Sequence, residues 1–315
     1  MKSGEQVESR CGEFTLVQRF PALADLPHAS LGVFPSPVTR VGPLWIKRDD
    51  LNAPDVGGNK VRSLEWLLGG LDQHETILTG GGDGSTHVLA TAVHARRLGA
   101  ATVAVRWRHE MHPVAEAVAR RSTALCTRTI RTATVPGVFF RLAVMRGAYR
   151  YIPPGGATAL GTLGHVGAGL ELATQIAAGD LPEPAVVVVP LGTGATAAGL
   201  ALGLGIAGVG TTVVAARVVP RIALAGRRVR RLIDATRRLL ADRAGVSPTE
   251  LPAVPVELDH SVYAGAYGRP LPGAAILDGL TLDATYSAKA ATAALTRTTT
   301  GRPALLWLTF DGRWL

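Results

Sequence analysis

Lys47-Arg48-Asp49-Asp50-Leu51-Asn52, followed by Gly57-Gly58-Asn59-Lys60-Val61-Arg62-Ser63-Leu64-Glu65, is the stretch around which the chain is organised. A polar turn, two glycines and an asparagine deliver one lysine to the start of an apolar, helix-like run. Glycines adopt backbone angles that a side chain forbids and let another group come close. Lys60 is therefore expected on a backbone bend rather than on a solvated helix face. Lysine is scarce: of 33 basic residues only four are lysine, at positions 2, 47, 60 and 289. Where arginine serves for general charge, a lysine asks for a chemical reason. The available one is that lysine can lose its proton and act as an amine nucleophile. On these residues alone, a surface lysine in a turn is the equal alternative.

Working outward, residues 61–71 read as a helix with Val61, Leu64, Leu67, Leu68 and Leu71 on one face. Upstream, residues 14–46 are punctuated by five prolines and read as an irregular lead-in that closes on a short strand at 44–47. Downstream, a strand at 76–79 leads through a glycine-rich turn at 80–87 to a helix over 88–98 that Gly99 stops. Strands are expected at 101–105, within 125–132 and at 149–152, and helices at 112–121 and 135–145. Pro153-Pro154-Gly155-Gly156 is the clearest hinge. Beyond it come a long helix over 160–178, a four-valine strand at 185–189, a helix at 197–206, a strand at 211–218 and a helix at 225–241. A loop at 248–255, a helix within 280–297 and an apolar strand at 304–309 complete the chain. Strands alternating with helices predict an α/β fold with parallel sheets and helical crossovers.

A chain of 315 residues can bury a large core, in one large or two medium domains. Hydrophobic residues make up 47% and charged residues 18%, the balance of a globular protein. The net charge of +9 raises nucleic acid as a partner, but aromatics are only 5% and the arginines are spread along most of the chain. The densest basic run, Arg227-Arg228-Val229-Arg230-Arg231 with Arg237-Arg238, fits a solvated helix face. No nucleic-acid partner is expected. Two cysteines, Cys11 and Cys126, make neither a disulfide framework nor a metal-ligand spacing, and fit a reducing, cytoplasmic compartment. The polar start, residues 1–14, lacks the apolar core of a signal peptide. Residues 184–216 carry no charge and are long enough to span a bilayer. They hold Pro190 and seven glycines, however, and parse as strand, loop, helix and strand, so no membrane segment is expected.

Two glycine-bearing turns could bind anions. Gly192-Thr193-Gly194-Ala195-Thr196 sits between a buried strand and a helix start. Such a turn aims free N–H groups and the positive end of a helix dipole at one spot, which suits a phosphate. No Gly-Lys-Ser/Thr follows it and a third spaced glycine is missing, so it is neither a Walker loop nor a dinucleotide fingerprint. Ser85-Thr86-His87 is a second helix start, able to hold a carboxylate through N–H groups with Ser85 as cap and hydroxyl donor. A plain tight turn and a plain N-cap are the competing readings. The histidines show no metal-ligand pattern, and no metal is expected.

A lysine amine, a monophosphate cradle and an amide-lined carboxylate site together suit pyridoxal 5'-phosphate and an amino acid. At this point the chain resembles a known family: D-cysteine desulfhydrase and 1-aminocyclopropane-1-carboxylate (ACC) deaminase, within the fold-type II, tryptophan synthase β-like enzymes. The resemblance runs from about residue 44 to 309. It rests on Lys47-Arg48-Asp49-Asp50-Leu51 leading to Gly57-Gly58-Asn59-Lys60, on Ser85-Thr86-His87, and on Ile152-Pro153-Pro154-Gly155-Gly156 with Ala159-Leu160-Gly161. The phosphate turn, Tyr267-Gly268 and Leu282-Asp283-Ala284-Thr285-Tyr286-Ser287-Ala288-Lys289-Ala290 also match.

The resemblance implies a two-domain α/β fold. Residues 1–61 and 152–315 form a large cofactor-binding domain and residues 62–151 a small inserted one. Each domain is a mostly parallel sheet flanked by helices, with the cofactor in the cleft between them, and the protein is a homodimer. It also implies roles. Lys60 is the Schiff-base lysine and later moves protons. Asn59, Ser85, Thr86, His87 and Tyr267 meet the substrate, with Ser85 beside its carboxylate and assisting proton transfer; Ser85, Tyr267 and Tyr286 are catalytic with Lys60, and Thr86 also meets the cofactor. Gly192, Thr193, Gly194, Ala195 and Thr196 hold the phosphate. Tyr286 stacks on the pyridine ring, and Thr309 faces the pyridine nitrogen. The implied activity is α,β-elimination from a small β-substituted, D-cysteine-like amino acid, giving a 2-keto acid and ammonia. ACC deamination or β-replacement is the alternative on the same scaffold, and a catalytically silent cofactor-binding protein is the alternative of another class.

The chain departs from the family's pattern at several positions. Thr86 and Thr158 stand where asparagine is usual, and Ala195 replaces a glycine. Ser287 takes the place of glutamate in ACC deaminases and threonine in desulfhydrases, which argues against cyclopropane opening. Phe310-Asp311 replaces a Gly-Gly pair, so Phe310 is expected to narrow the cavity and Asp311 to add negative charge to it.

Overall fold

The computed structural model describes residues 16–72, 74–220, 225–298 and 301–315. Cys11 and the whole polar start, residues 1–14, lie outside the described residues. Two sheets carry the fold. The first has six strands: β1 (Val38–Val41), β2 (Leu44–Arg48), β7 (Val186–Leu191), β8 (Thr212–Arg217), β9 (Val256–Asp259) and β10 (Ala304–Leu308). Their order is β1-β2-β10-β7-β8-β9, with β1 antiparallel to β2 and every other pairing parallel. The second sheet orders β5 (Arg128–Thr132), β4 (Ala101–Trp107), β3 (Thr76–Gly82) and β6 (Arg150–Tyr151), all parallel.

The helices are α1 (Asn59–Leu67), α2 (Thr86–Arg97), α3 (Pro113–Leu125), α4 (Val135–Met145), α5 (Ala159–Ala177), α6 (Ala195–Ile206), α7 (Ala225–Ala244) and α8 (Ser287–Leu295). The expected alternation therefore holds, with most bounds shifted by a few residues. Two strands were not anticipated. β1 lies in the proline-punctuated lead-in, and β9 follows the loop at 248–255. Both are edge strands of four residues with little burial, so neither writes a strong apolar pattern. The uncharged stretch 184–216 is β7, α6 and the start of β8. No helix of the described residues is long and apolar enough to cross a membrane. On α7, Val229, Leu232, Ile233, Leu240 and Ala241 are buried while Arg227, Arg230, Arg231 and Arg238 are exposed, the solvated basic face expected of that run, whereas Arg228 is partly buried and lines the cavity described below.

Helices α5 and α6 pack with their backbones close together. A Cβ on Gly203 would lie 2.3 Å from the carbonyl oxygen of Val166, so only glycine allows this approach. The closeness seats the N-terminus of α6 against α1 and the Lys60 turn.

Beneath that turn lies a buried polar cluster. The Arg62 guanidinium donates to both oxygens of Asp49, at 2.7 and 2.9 Å, and to Glu171 Oε2 at 2.9 Å. The Lys47 ammonium donates to Glu171, and Trp307 Nε1 donates to Asp49 Oδ2 at 2.7 Å. Two cations face two anions, and all four residues are buried. Burial raises the Asp49 and Glu171 carboxyls, but the Arg62 and Lys47 charges outweigh it and hold both below their ordinary values. The cluster ties β2, α1, α5 and β10 together. It explains why Lys47, Asp49 and Arg62 belong to the opening motif although none reaches the cavity described next.

Candidate active site

Lys60 is the second residue of α1, and Gly58 sets where it goes. Gly58 has φ +126° and ψ 175°, a conformation open essentially to glycine alone. Asn52 clamps it, its side-chain amide accepting from Gly58 N at 3.0 Å and donating to Gly58 O at 3.1 Å. A Cβ on Gly58 would lie 2.4 Å from the carbonyl oxygen of Thr309. The turn is thus pressed against the end of β10, which brings Thr309 beside Lys60. Gly58→Ala is expected to destabilise the protein by about 3 kcal/mol and to weaken cofactor binding, because backbone preference and a backbone clash add. Gly42→Ala is the control, since Gly42 also has positive φ (+56°) but nothing within 4 Å of the added carbon. Urea unfolding of both variants checks this, and equal losses would overturn the clash argument.

The Lys60 side chain enters a cavity of about 400 Å³. Burial alone lowers its amine from 10.5 to about 8. The cavity also receives Asn59, Ser85, Thr86, His87, Gly192, Thr193, Gly194, Thr196, Tyr267, Tyr286 and Thr309. Every site residue expected from the sequence is therefore brought together except Ala195, whose side chain is buried in the core of the six-stranded sheet.

The phosphate turn is open where a ligand needs it. Gly194, with φ +96°, precedes α6, and no side chain caps that helix. A Cβ on Gly192 would meet nothing nearer than Tyr286 Cε1, at 3.9 Å. Asn59 Nδ2 donates to Thr196 Oγ1 at 2.8 Å, and Thr196 and Ser63 both approach His165 Nε2. Burial, with the Lys60 and Arg62 charges adding, holds His165 well below its ordinary value, so it stays neutral and anchors these hydroxyls.

Across the cavity, Ser85 caps α2, its Oγ accepting from Val88 N at 3.4 Å. His87 pairs with Thr79 Oγ1 at 2.9 Å, and burial, with Lys60 adding, drops it to about 3. Tyr267 and Tyr286 share a 2.5 Å contact between their hydroxyls, and burial pushes Tyr267 up to about 12. Both phenols are neutral near pH 7.

These residues fit a phosphorylated pyridine aldehyde. They offer an amine with no ion-pair partner among the described residues, an uncapped helix N-terminus for the phosphate, and a tyrosine ring beside the turn. The pyridoxal-phosphate dependent enzyme family matches residues 29–271. The chain belongs to that family. Relatives of this pyridoxal-phosphate dependent enzyme include a nocardicin C-9' epimerase from Nocardia uniformis, 36% identical over 79% of each chain. A D-cysteine desulfhydrase from Yersinia pestis is 32% identical over 78% of each. A solved ACC deaminase homologue superposes with a TM-score of 0.74 at 26% identity, covering 93% of this chain and 94% of its own.

Two expectations at the C-terminus are corrected. Phe310 does not line the main cavity. It is buried beside Trp314, within the cluster that holds Val56, Val61 and Leu64. Asp311 accepts from Gly57 N at 3.1 Å and pairs with Arg313 at 2.9 Å, so its charge is matched and spent on holding the lysine turn. The pair that replaces Gly-Gly is a brace behind the turn.

Sequence reasoning missed part of the wall: Trp107, Val135, Phe139, Val219 and Pro220 also line the cavity. They come from three separate elements and carry no motif, so only the tertiary structure gathers them.

Proposed function

We propose that this enzyme catalyses α,β-elimination from a β-substituted, cysteine-like amino acid, giving a 2-keto acid and ammonia. The observation that carries the reading is the Lys60 amine, tuned by burial to about 8, in one cavity with the open Gly192–Thr196 turn and the Ser85 helix start. The D-cysteine desulfhydrase relative supports the substrate class. Bound pyridoxal phosphate supplies the electron sink that stabilises negative charge at the substrate α-carbon.

The protein's part is to bind, orient and move protons. Thr193, Thr196 and the first N–H groups of α6 hold the phosphate. Tyr286 would cover the ring, and Thr309 would offer a hydroxyl rather than a carboxylate to its nitrogen, a partner too weak to hold a proton there. The N–H groups at the start of α2 and the Ser85 hydroxyl receive the substrate carboxylate. The neutral Lys60 amine takes the α-proton, and Tyr267, un-ionised and held by Tyr286, stands over the substrate as a proton donor. Residues 62–151 act as the small domain and 1–61 with 152–315 as the large one. The enzyme works as a cytoplasmic homodimer.

A second reading is inversion at the α-carbon, favoured by the 36% identity to the nocardicin C-9' epimerase. It uses the same first proton transfer without loss of the β-substituent. Incubating the holoenzyme with D- and L-amino acids, including both cysteines, separates the two. Keto acid and ammonia are expected from a β-substituted substrate. Solvent deuterium entering the α-position with inversion and no keto acid would replace elimination by epimerisation.

A further inference from the structure

Helix α4 carries apolar side chains on three faces, with Phe140 and Val144 open to solvent, and the core accounts for only one of them. Val138 and Leu142, four apart, are buried against the four-stranded sheet. Val135 and Phe139 are also four apart, so they lie together on the neighbouring face. They are 40% and 46% exposed, yet both line the Lys60 cavity. Trp107, at the end of β4, and Val219 and Pro220, just after β8, line it too. Five apolar side chains, from β4, α4 and the segment after β8, thus line a cavity that also holds the polar residues and Arg228. The thiol-bearing methylene of cysteine is too small to cover them. Half-exposed apolar side chains converging on a binding cavity mark where a ligand's apolar part goes.

We propose that the substrate's β-substituent is a bulky, uncharged apolar group carried on sulfur, an S-aryl or S-arylalkyl cysteine, and that Val135 and Phe139 select for it. The proposal rests on the elimination reading. The net change is R–S–CH2–CH(NH3+)–COO− plus water giving R–SH, pyruvate and ammonium. The α-proton leaves, and the Cβ–S bond breaks with its electron pair going to sulfur, which is protonated to the thiol. Water then releases the nitrogen as ammonium, and no external oxidant or reductant takes part.

The test compares S-benzylcysteine with cysteine, each as both enantiomers, on the holoenzyme. Free thiol and pyruvate report turnover, and titration of the cofactor's visible spectrum reports binding independently. S-benzylcysteine of one enantiomer is expected to exceed the matching cysteine at least about tenfold in kcat/KM, the scale set by extra methylenes in an apolar pocket. Phe139→Ala is expected to lower that preference about tenfold, mainly through KM. Phe140→Ala, on a neighbouring side chain that is 71% exposed and does not line the cavity, leaves the preference unchanged. Pyruvate from cysteine with no preference for the benzyl compound would overturn the proposal and keep the elimination reading. Tight benzyl-dependent spectral binding without thiol or pyruvate would keep the apolar subsite and overturn elimination. No spectral response to any of the four compounds would overturn both.

Discussion

Lys60→Ala is expected to abolish the visible absorbance of the cofactor-supplied protein and to lower elimination by at least about 10³-fold, while the fold survives. The size follows from what one side chain does twice, since it secures the cofactor and moves the α-proton. General acid–base catalysis by itself is worth about 10²–10⁴. The fold survives because the amine has no ion-pair partner among the described residues to leave stranded, and burial only penalises its charge. That penalty has a sign that can be checked. In the folded chain the amine titrates near 8 rather than at 10.5, so between those values the unfolded chain binds more protons. Stability of the cofactor-free protein is therefore reduced below pH 8 and recovers as pH rises through that window, and Lys60→Ala should flatten the slope. Cofactor uptake by the unsubstituted apoprotein should likewise rise through pH 8 and level off above it. Retained visible absorbance in the alanine variant would remove the basis of the proposed chemistry.

Glu171→Leu is expected to cost about 3–5 kcal/mol of stability, the range for breaking a buried charged pair by removing one partner. Glu171 faces both Lys47 and Arg62, and its loss leaves two buried cations with Asp49 as the one remaining anion of the cluster. The double variant Lys47→Met/Glu171→Leu restores the balance of one cation and one anion and should recover a large part of the loss. Because the Asp49 and Glu171 carboxyls are held below their ordinary values of 3.8 and 4.5, the cluster's contribution is complete above those values and fades as pH falls through the depressed ones. Urea unfolding at pH 7 and again below about pH 3.5, under both ordinary values, measures both effects. A single variant within 1 kcal/mol of the parent would show that the cluster is not what holds the lysine turn in place.

The alternation of β3, α2 and β4, or of β7, α6 and β8, was legible because short apolar runs, a glycine stop and a valine run are local signals. The edge strands β1 and β9 were not, because their pairing depends on a neighbour distant in sequence and little of either is buried. The same division runs through the site. Gly57-Gly58-Asn59-Lys60, Ser85-Thr86-His87 and Gly192-Thr193-Gly194 each declare themselves, since backbone geometry and helix starts are written in adjacent residues. Phe310 and Asp311 were misjudged because a side chain's direction at the end of a strand is set by what packs around it. Here that is Trp314, Arg313 and the backbone of Gly57.

By itself, then, the sequence determined the α/β class and singled out Lys60 and two glycine-bearing helix starts as candidate site elements, all from contiguous residues. Only the tertiary structure decided that Thr309 meets the lysine turn and that His165 steadies Thr196. It also decided that Trp107, Val135, Phe139, Val219 and Pro220 line one cavity. Those relations join positions far apart in the chain, and they exist only once the two sheets and their helices have packed.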